Sequence, residues 1–166
     1  MPARDDSFTG GSLQEEHAGQ IRVGEAQQRI ADPGGAVEVT GTDLNLVIAR
    51  PRGAVRVSGS NGQVAIDRPR ATTDIDGRRL EITVTLDAAV PVTAATTERP
   101  LRVVFDGAPA VTIDAVASDG ATIDATALDL TAEPIERGQR LLHRVGGDTR
   151  VALRNQRGAI VIGRTK

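Results

Sequence analysis

The chain has no cysteine, no tryptophan and no tyrosine, and only two phenylalanines, Phe8 and Phe105, in 166 residues. Without cysteine there is no disulfide framework, no thiolate zinc site and no cysteine nucleophile. An aromatic fraction of 1% excludes grooves that bind single-stranded nucleic acid by base stacking, and ring platforms for sugars. No nucleic-acid partner is expected. Lysine is nearly absent too, with Lys166 against nineteen arginines, which reads as the bias of a GC-rich genome. Long apolar runs are missing. Leu46-Val47-Ile48 and Val103-Val104-Phe105 fall far short of the roughly 20 residues a spanning helix needs, so no transmembrane segment is expected. No apolar stretch follows Met1-Pro2-Ala3-Arg4-Asp5-Asp6, which is therefore not read as a signal peptide. The compartment stays open: cell envelope or extracytoplasmic if a leader or anchor has been trimmed, otherwise cytoplasmic.

What is present is small, aliphatic and punctuated. The composition is 39% hydrophobic and 25% charged, with eighteen glycines, eight prolines and a net charge of −2. The length suits one domain, and the charge level argues against bulk disorder. Residues 1–35 read as a flexible or partly ordered N-terminal tail. Ile21, Val23, Ala26 and Ile30 fit one side of a helix loosely, and Asp32-Pro33-Gly34-Gly35 ends that stretch. Residues 36–166 read as one β-repeat domain. Residues 130–166 hold eight bases against three acids, a basic end that suits an anionic partner or complements the acidic remainder.

From residue 37 onward short β-rich runs recur, over 37–40, 44–49, 54–58, 63–67, 80–86, 90–93, 101–105, 110–114, 121–125, 127–132, 140–144, 150–154 and 159–162. Turn residues separate them, among them Gly41-Thr42-Asp43, Ser60-Asn61-Gly62 and Asp76-Gly77. Val37-Glu38-Val39 and Leu80-Glu81-Ile82-Thr83-Val84-Thr85-Leu86 alternate with period two, which turns one face into a core and the other outward. Thr112-Ile113-Asp114-Ala115 recurs ten residues later as Thr122-Ile123-Asp124-Ala125. Two such units make a coil of about twenty residues, the size of a β-solenoid repeat. The fold class is therefore all-β, a solenoid-like β-roll or β-helix, or a two-sheet stack of short strands. A thin core of Val, Ile, Leu and Ala fills such an interior without rings.

Candidate chemistry is sparse. Asp114, Asp119, Asp124 and Asp129 recur every five residues. They suggest a Ca²⁺ ladder, but the odd interval places successive members on opposite faces, so turn and surface aspartates are the favoured reading. Asp74-Ile75-Asp76 puts two carboxylates on one face of an extended strand, but before Gly77 it reads better as a turn. His17 and His143 support no Ser-His-Asp spacing. Gly146-Gly147-Asp148 lacks the lysine of a phosphate loop and is a turn. Arg50, Arg52 and Arg56 are a possible anionic-partner face. No catalytic residue, metal ligand or cofactor is expected.

The strand–turn pattern, above all residues 144–162 with Gly146-Gly147-Asp148, Val151-Ala152-Leu153-Arg154 and Gly158 before Ile160-Val161-Ile162, resembles a bacterial adhesin family of β-strand repeats of unknown function. Gln156-Arg157-Gly158 departs from that family's usual Asn-Gly or Ser-Gly corner. The resemblance implies a roll-like architecture at the cell envelope and transfers no catalytic residue. The low aromatic content also resembles bactofilins, polymerising β-helix scaffolds, although their dense Gly-x-Ile coils are absent. The expected function is a non-enzymatic structural or interaction module of a bacterial envelope or surface assembly, with a homo-oligomer or envelope protein as partner. The alternatives are a polymerising solenoid scaffold or phage-type structural protein, and a polysaccharide-acting enzyme with a carboxylate-lined groove. The apolar strand Ala159, Ile160, Val161 and Ile162 is the expected self-association edge.

Overall fold

In a computed structural model, residues 26–31, 35–107, 110–145, 147 and 149–165 are described. They form β1 (Ala26–Ala31), β2 (Val37–Ala49), β3 (Val55–Asp67), β4 (Thr73–Leu86), β5 (Val92–Thr97), β6 (Leu101–Phe105), β7 (Val111–Ser118), β8 (Ile123–Asp124), β9 (Glu133–Ile135), β10 (Gly138–Val145), β11 (Thr149–Gln156) and β12 (Ile160–Arg164). One 3-10 turn, Thr126–Leu128, interrupts them, and no α-helix occurs among the described residues. The protein is all-β, and its twelve strands make one curled, mixed sheet.

Alternation explains the long strands β2, β3 and β4, and a single left-handed residue explains how each bends. In β2 the buried residues are Val37 and Val39, then Leu44, Leu46 and Ile48, with Ala49 at the strand's end. The inward set shifts from odd to even numbers across Asp43, whose φ is 53°. One residue in the left-handed region turns the strand and restores the apolar face inward. Asn61, Arg79, Glu98, Asp119 and Arg157 have φ between 55° and 67° and occupy the same corner in the other layers. The segment before the corner forms a first wall and the segment after it a second wall. Their inward hydrophobic side chains, all aliphatic except Phe105, merge into one core.

The layers stack in parallel and in register. Val37, Val55, Thr73 and Val92 share one row, and Leu46, Val64, Ile82 and Leu101 another. Like residue types thus bury against like residue types along each row, a cheap way for short strands to share a core. Pro51, Pro91 and Pro100 sit in the returns between strands, where they offer carbonyls to Arg70, Thr73 and Ile82, and so cost no ladder bond.

A solenoid adds each coil to the one before it. That order holds from β1 to β6 and then changes. The first wall runs β4-β5-β11-β7-β10-β9. In the second wall β12 pairs with β6 on one side and β8 on the other. The C-terminal layer, β11 and β12, is therefore inserted between β5–β6 and β7–β8. β10 lies antiparallel on β7, and β9 antiparallel on β10.

Four sequence expectations need correction. Within the helical option at 21–31, residues 26–31 are a strand, since Ala26–Ala31 pairs in parallel with β2 from Leu44 to Ala49; residues 1–25 and 32–34 of the expected tail lie outside the described set. Asp74-Ile75-Asp76 is strand, because Ile75 points into the core and Thr73 and Asp74 pair with Val92 and Thr93. The run at 127–132 is not a strand, since the 3-10 turn occupies its start. The corners at 41–43, 60–62 and 76–77 are bends inside continuous strands.

Candidate functional site

The outer face of the first wall carries an in-register set of polar groups. An open groove of about 730 Å³ crosses it just before the corner. Thr40, Ser58, Asp76, Ala95, Arg154 and Val116 follow one another across six strands in register. Beside them run Thr42, Ser60, Arg78, Thr97, Gln156 and Ser118. The groups repeat at the strand spacing of about 4.8 Å.

The groove edge is shaped from inside. Gly41, Gly59 and Gly77 stack in register before the corner. A Cβ on Gly59 would lie 2.5 Å from the Gly41 carbonyl oxygen and 2.7 Å from Leu44 Cδ1, and one on Gly77 2.7 Å from Leu80 Cβ. Leu44 and Leu80, each just after a corner, fill the space a side chain would need. In the next layers polar residues replace glycine, and both are buried: Thr96 is 3% exposed and Asn155 2%. Thr96 Oγ1 accepts from the Leu80 amide at 2.9 Å and donates to its carbonyl at 2.7 Å. Asn155 Nδ2 donates to the Arg99 and Ala159 carbonyls at 2.7 and 2.8 Å. These side chains supply the hydrogen bonds that the bent backbone cannot make to itself.

Next to the groove lies a buried acid. The Asp114 side chain is 3% exposed, with Arg150 Nη1 at 3.0 Å, Arg154 Nη2 at 3.5 Å and Arg140 Nη2 at 3.8 Å. Arg154 also donates to the Asp114 carbonyl at 3.0 Å. Three guanidiniums from β10 and β11 roof one carboxylate on β7, the arrangement a desolvated charge requires. Asp114 Oδ1 still lacks a hydrogen-bond donor. The arginines are about half exposed, so this end of the face presents surplus positive charge.

Two further charge networks brace the corners. Glu98 lies between Arg79 at 2.7 Å and Arg157 at 3.7 Å. The Arg79 hydrogen bond and charge hold its carboxyl below the usual range. At the other corner Arg68 reaches Asp106 at 2.7 Å and Asp67 at 2.9 Å, and Arg70 reaches Asp87 at 2.6 Å. The Arg68 hydrogen bond, then that of Thr165, pushes Asp106 down. The Asp106 hydrogen bond, then the charge of Asp67, raises Arg68 further.

The residues singled out in the sequence do not converge. Asp114 is buried under arginines, Asp119 is a corner residue bonded by Gln156 Nε2, and Asp129 caps the 3-10 turn. Asp124 accepts from the Thr126 hydroxyl and amide, which lower its pKa. Among the described residues no group of three His, Cys, Asp or Glu side chains is placed to hold a metal ion. Asp74 and Asp76 do share the outer face of β4, and Asp76 alone of the two lines the groove. Arg50 and Arg52 sit on the return after β2, while Arg56 stands on the first wall in register between Glu38 and Asp74. They form no common face. The expected edge Ala159, Ile160, Val161 and Ile162 is interior. Ile160 and Val161 pair with Leu101 and Arg102 on one side and with Ile123 and Asp124 on the other, and Ile160 and Ile162 are buried. Its apolar side chains serve the core, as those of a central strand do.

The groove and the Asp114 cluster were missed in the sequence. The Ser, Thr and Gly spacing of 18 residues from Thr40-Gly41-Thr42 to Ser58-Gly59-Ser60 is the signal that would have found the groove. Comparison with protein families, with curated proteins and with solved structures finds no match to this chain. No helix among the described residues is long and apolar enough to cross a membrane.

Proposed function

We propose that this chain is a non-enzymatic structural and interaction module of a bacterial envelope or surface assembly, with the outer face of the first wall as its docking surface. The observation that carries this reading is the in-register groove. Rows of hydroxyl, amide and guanidinium groups are held at fixed spacing on a rigid stack, where they can pair with an extended polar partner without ordering themselves first. One carboxylate, Asp76, lines it, whereas glycoside hydrolysis uses a pair flanking the bond; this favours binding over cleavage. End-to-end polymerisation is the less favoured alternative, because the antiparallel β9–β10 hairpin interrupts the parallel stack at one end.

The test is sedimentation with isolated bacterial envelopes. The wild-type chain is expected to pellet with them, and Ser58→Arg with Ser60→Arg, which fills the groove, to remain in the supernatant. Equal pelleting of both proteins rejects the groove as the docking surface. Failure of the wild type to pellet rejects the reading itself.

A further inference from the structure

Among the described residues, the inserted layer is the one strand pairing that joins two parts of the molecule. Among the described residues β5 pairs with β4 and β11, β6 with β4 and β12, β7 with β10 and β11, and β8 with β12. The part ending at β6 and the part from β7 to β10 thus meet through β11 and β12. Without that layer, a slot would run between them with unpaired strand edges on both sides, a template for an added strand.

The connection into this layer is short. Val145 and Thr149 both face Val111, from opposite sides of β7. Val145 and Thr149 therefore stand two strand spacings apart, about 10 Å, against a reach of at most about 14 Å for four steps of chain. The crossing is also tight. A Cβ on Gly147 would lie 2.5 Å from the Ala110 carbonyl oxygen, and Thr112 Oγ1 donates to the Gly147 carbonyl at 2.7 Å. Short, constrained hinges are the ones that favour exchange of an element between copies, because the same contacts re-form with the hinge extended.

We propose that β11 and β12 are an exchangeable element, and that the slot between β5–β6 and β7–β8 accepts this layer from a second copy of the chain in a reciprocal dimer. The inward side chains Val151, Leu153, Asn155, Ile160 and Ile162, each at most 2% exposed, then fill the partner's core as they fill their own. Asn155 re-forms its bonds to the partner's copies of the Arg99 carbonyl. This goes beyond the docking reading and does not depend on what the groove binds.

The absence of native cysteine makes the test clean. Thr93 and Ala152 are register partners across β5 and β11. A full-length chain carrying Thr93→Cys is mixed with a size-tagged full-length chain carrying Ala152→Cys, warmed briefly at high concentration, cooled and treated with a short bis-maleimide. The double variant in one chain is the positive control for the geometry. A cross-linked heterodimer is expected, its yield falling about fivefold or more when four residues inserted between Gly147 and Asp148 relax the hinge. In-chain cross-linking of the double variant, with no heterodimer from the mixed single variants, overturns the proposal. So does a heterodimer yield that the inserted hinge leaves unchanged. Failure of the double variant to cross-link in either way overturns the register on which it stands.

Discussion

The layers from β2 to β6 and those from β7 to β12 are built from the same strand unit but assembled by different rules. In the first region each layer lies on its predecessor in the chain, and glycines line the corner column at Gly41, Gly59 and Gly77. In the second, spatial order departs from chain order, and the column carries Asn155 and Ala117. The contrast shows what each region relies on. Simple stacking needs room at the corner. Insertion of a distant segment needs specific bonds that fix where it goes, and Asn155, reaching Arg99 and Ala159, supplies them.

The largest expected effect tests whether the inserted layer governs both parts. Leu46 and Leu153 are both at most 1% exposed, so truncating either to alanine should cost about 2–5 kcal/mol. Their reach should differ. Leu153→Ala is expected to lower hydrogen-exchange protection in β5 and β7 together, while Leu46→Ala loosens β2 and β3 first. Matching protection maps for the two variants would erase the distinction drawn above.

A step smaller is Thr96→Val, which strands the buried Leu80 amide and should cost about 1–3 kcal/mol in urea denaturation. Asn155→Ala should cost as much and, unlike Thr96→Val, weaken the seating of β12 on β6. Asp114→Asn removes the charge that gathers Arg140, Arg150 and Arg154. A loss of about 1–3 kcal/mol, larger at low salt, is expected because three guanidiniums then repel one another. A salt-independent loss would mean that packing rather than charge holds that end.

The smallest effect is pH-linked. Asp106 and Glu98 have folded-state pKa values below their ordinary ones. Their contribution is present above the unfolded carboxylate pKa of about 4 and is lost as pH falls through the lower folded value. Thermal midpoints should therefore drop on acidification below about pH 4, and less steeply in Asp106→Asn and Glu98→Gln. Because both groups are exposed, the shift should be modest and fade in salt. Identical acid profiles for the wild type and both variants would remove these bridges from the account.

Most strands were legible because period-two alternation survives in short runs such as Val37-Glu38-Val39. The corners were legible as interruptions but not as bends, since a left-handed Asn61 or Asp43 looks like a loop residue until its neighbours prove to be paired. Asp74-Ile75-Asp76-Gly77 was read as a turn because its turn-forming residues outweighed a single inward isoleucine. Order in the sheet was not legible. Alternation says which face of a strand is buried and nothing about which strand lies beside it, so Val151-Ala152-Leu153 could as well have followed β7. The twin tetrapeptides make the same point for the site. Asp114 and Asp124 sit in the same sequence context, yet one is buried under three arginines and the other accepts from Thr126 in solvent. The difference comes from β10 and β11, which are distant in sequence from Asp114.

The inserted layer also has a consequence for biosynthesis. β7 to β10 are translated before the strands that will separate them from β5 and β6, so while the nascent chain still lacks β11 and β12, the open flanks of the sheet face the cell unpaired. Sequential growth from the N-terminus can lay down the first layers as they emerge, but closure must wait for residues made late. Such an interval is when exposed strand flanks are most prone to aggregate. The speed with which the ribosome delivers β11 and β12, or a chaperone shields the gap, should then bear on the yield of folded protein.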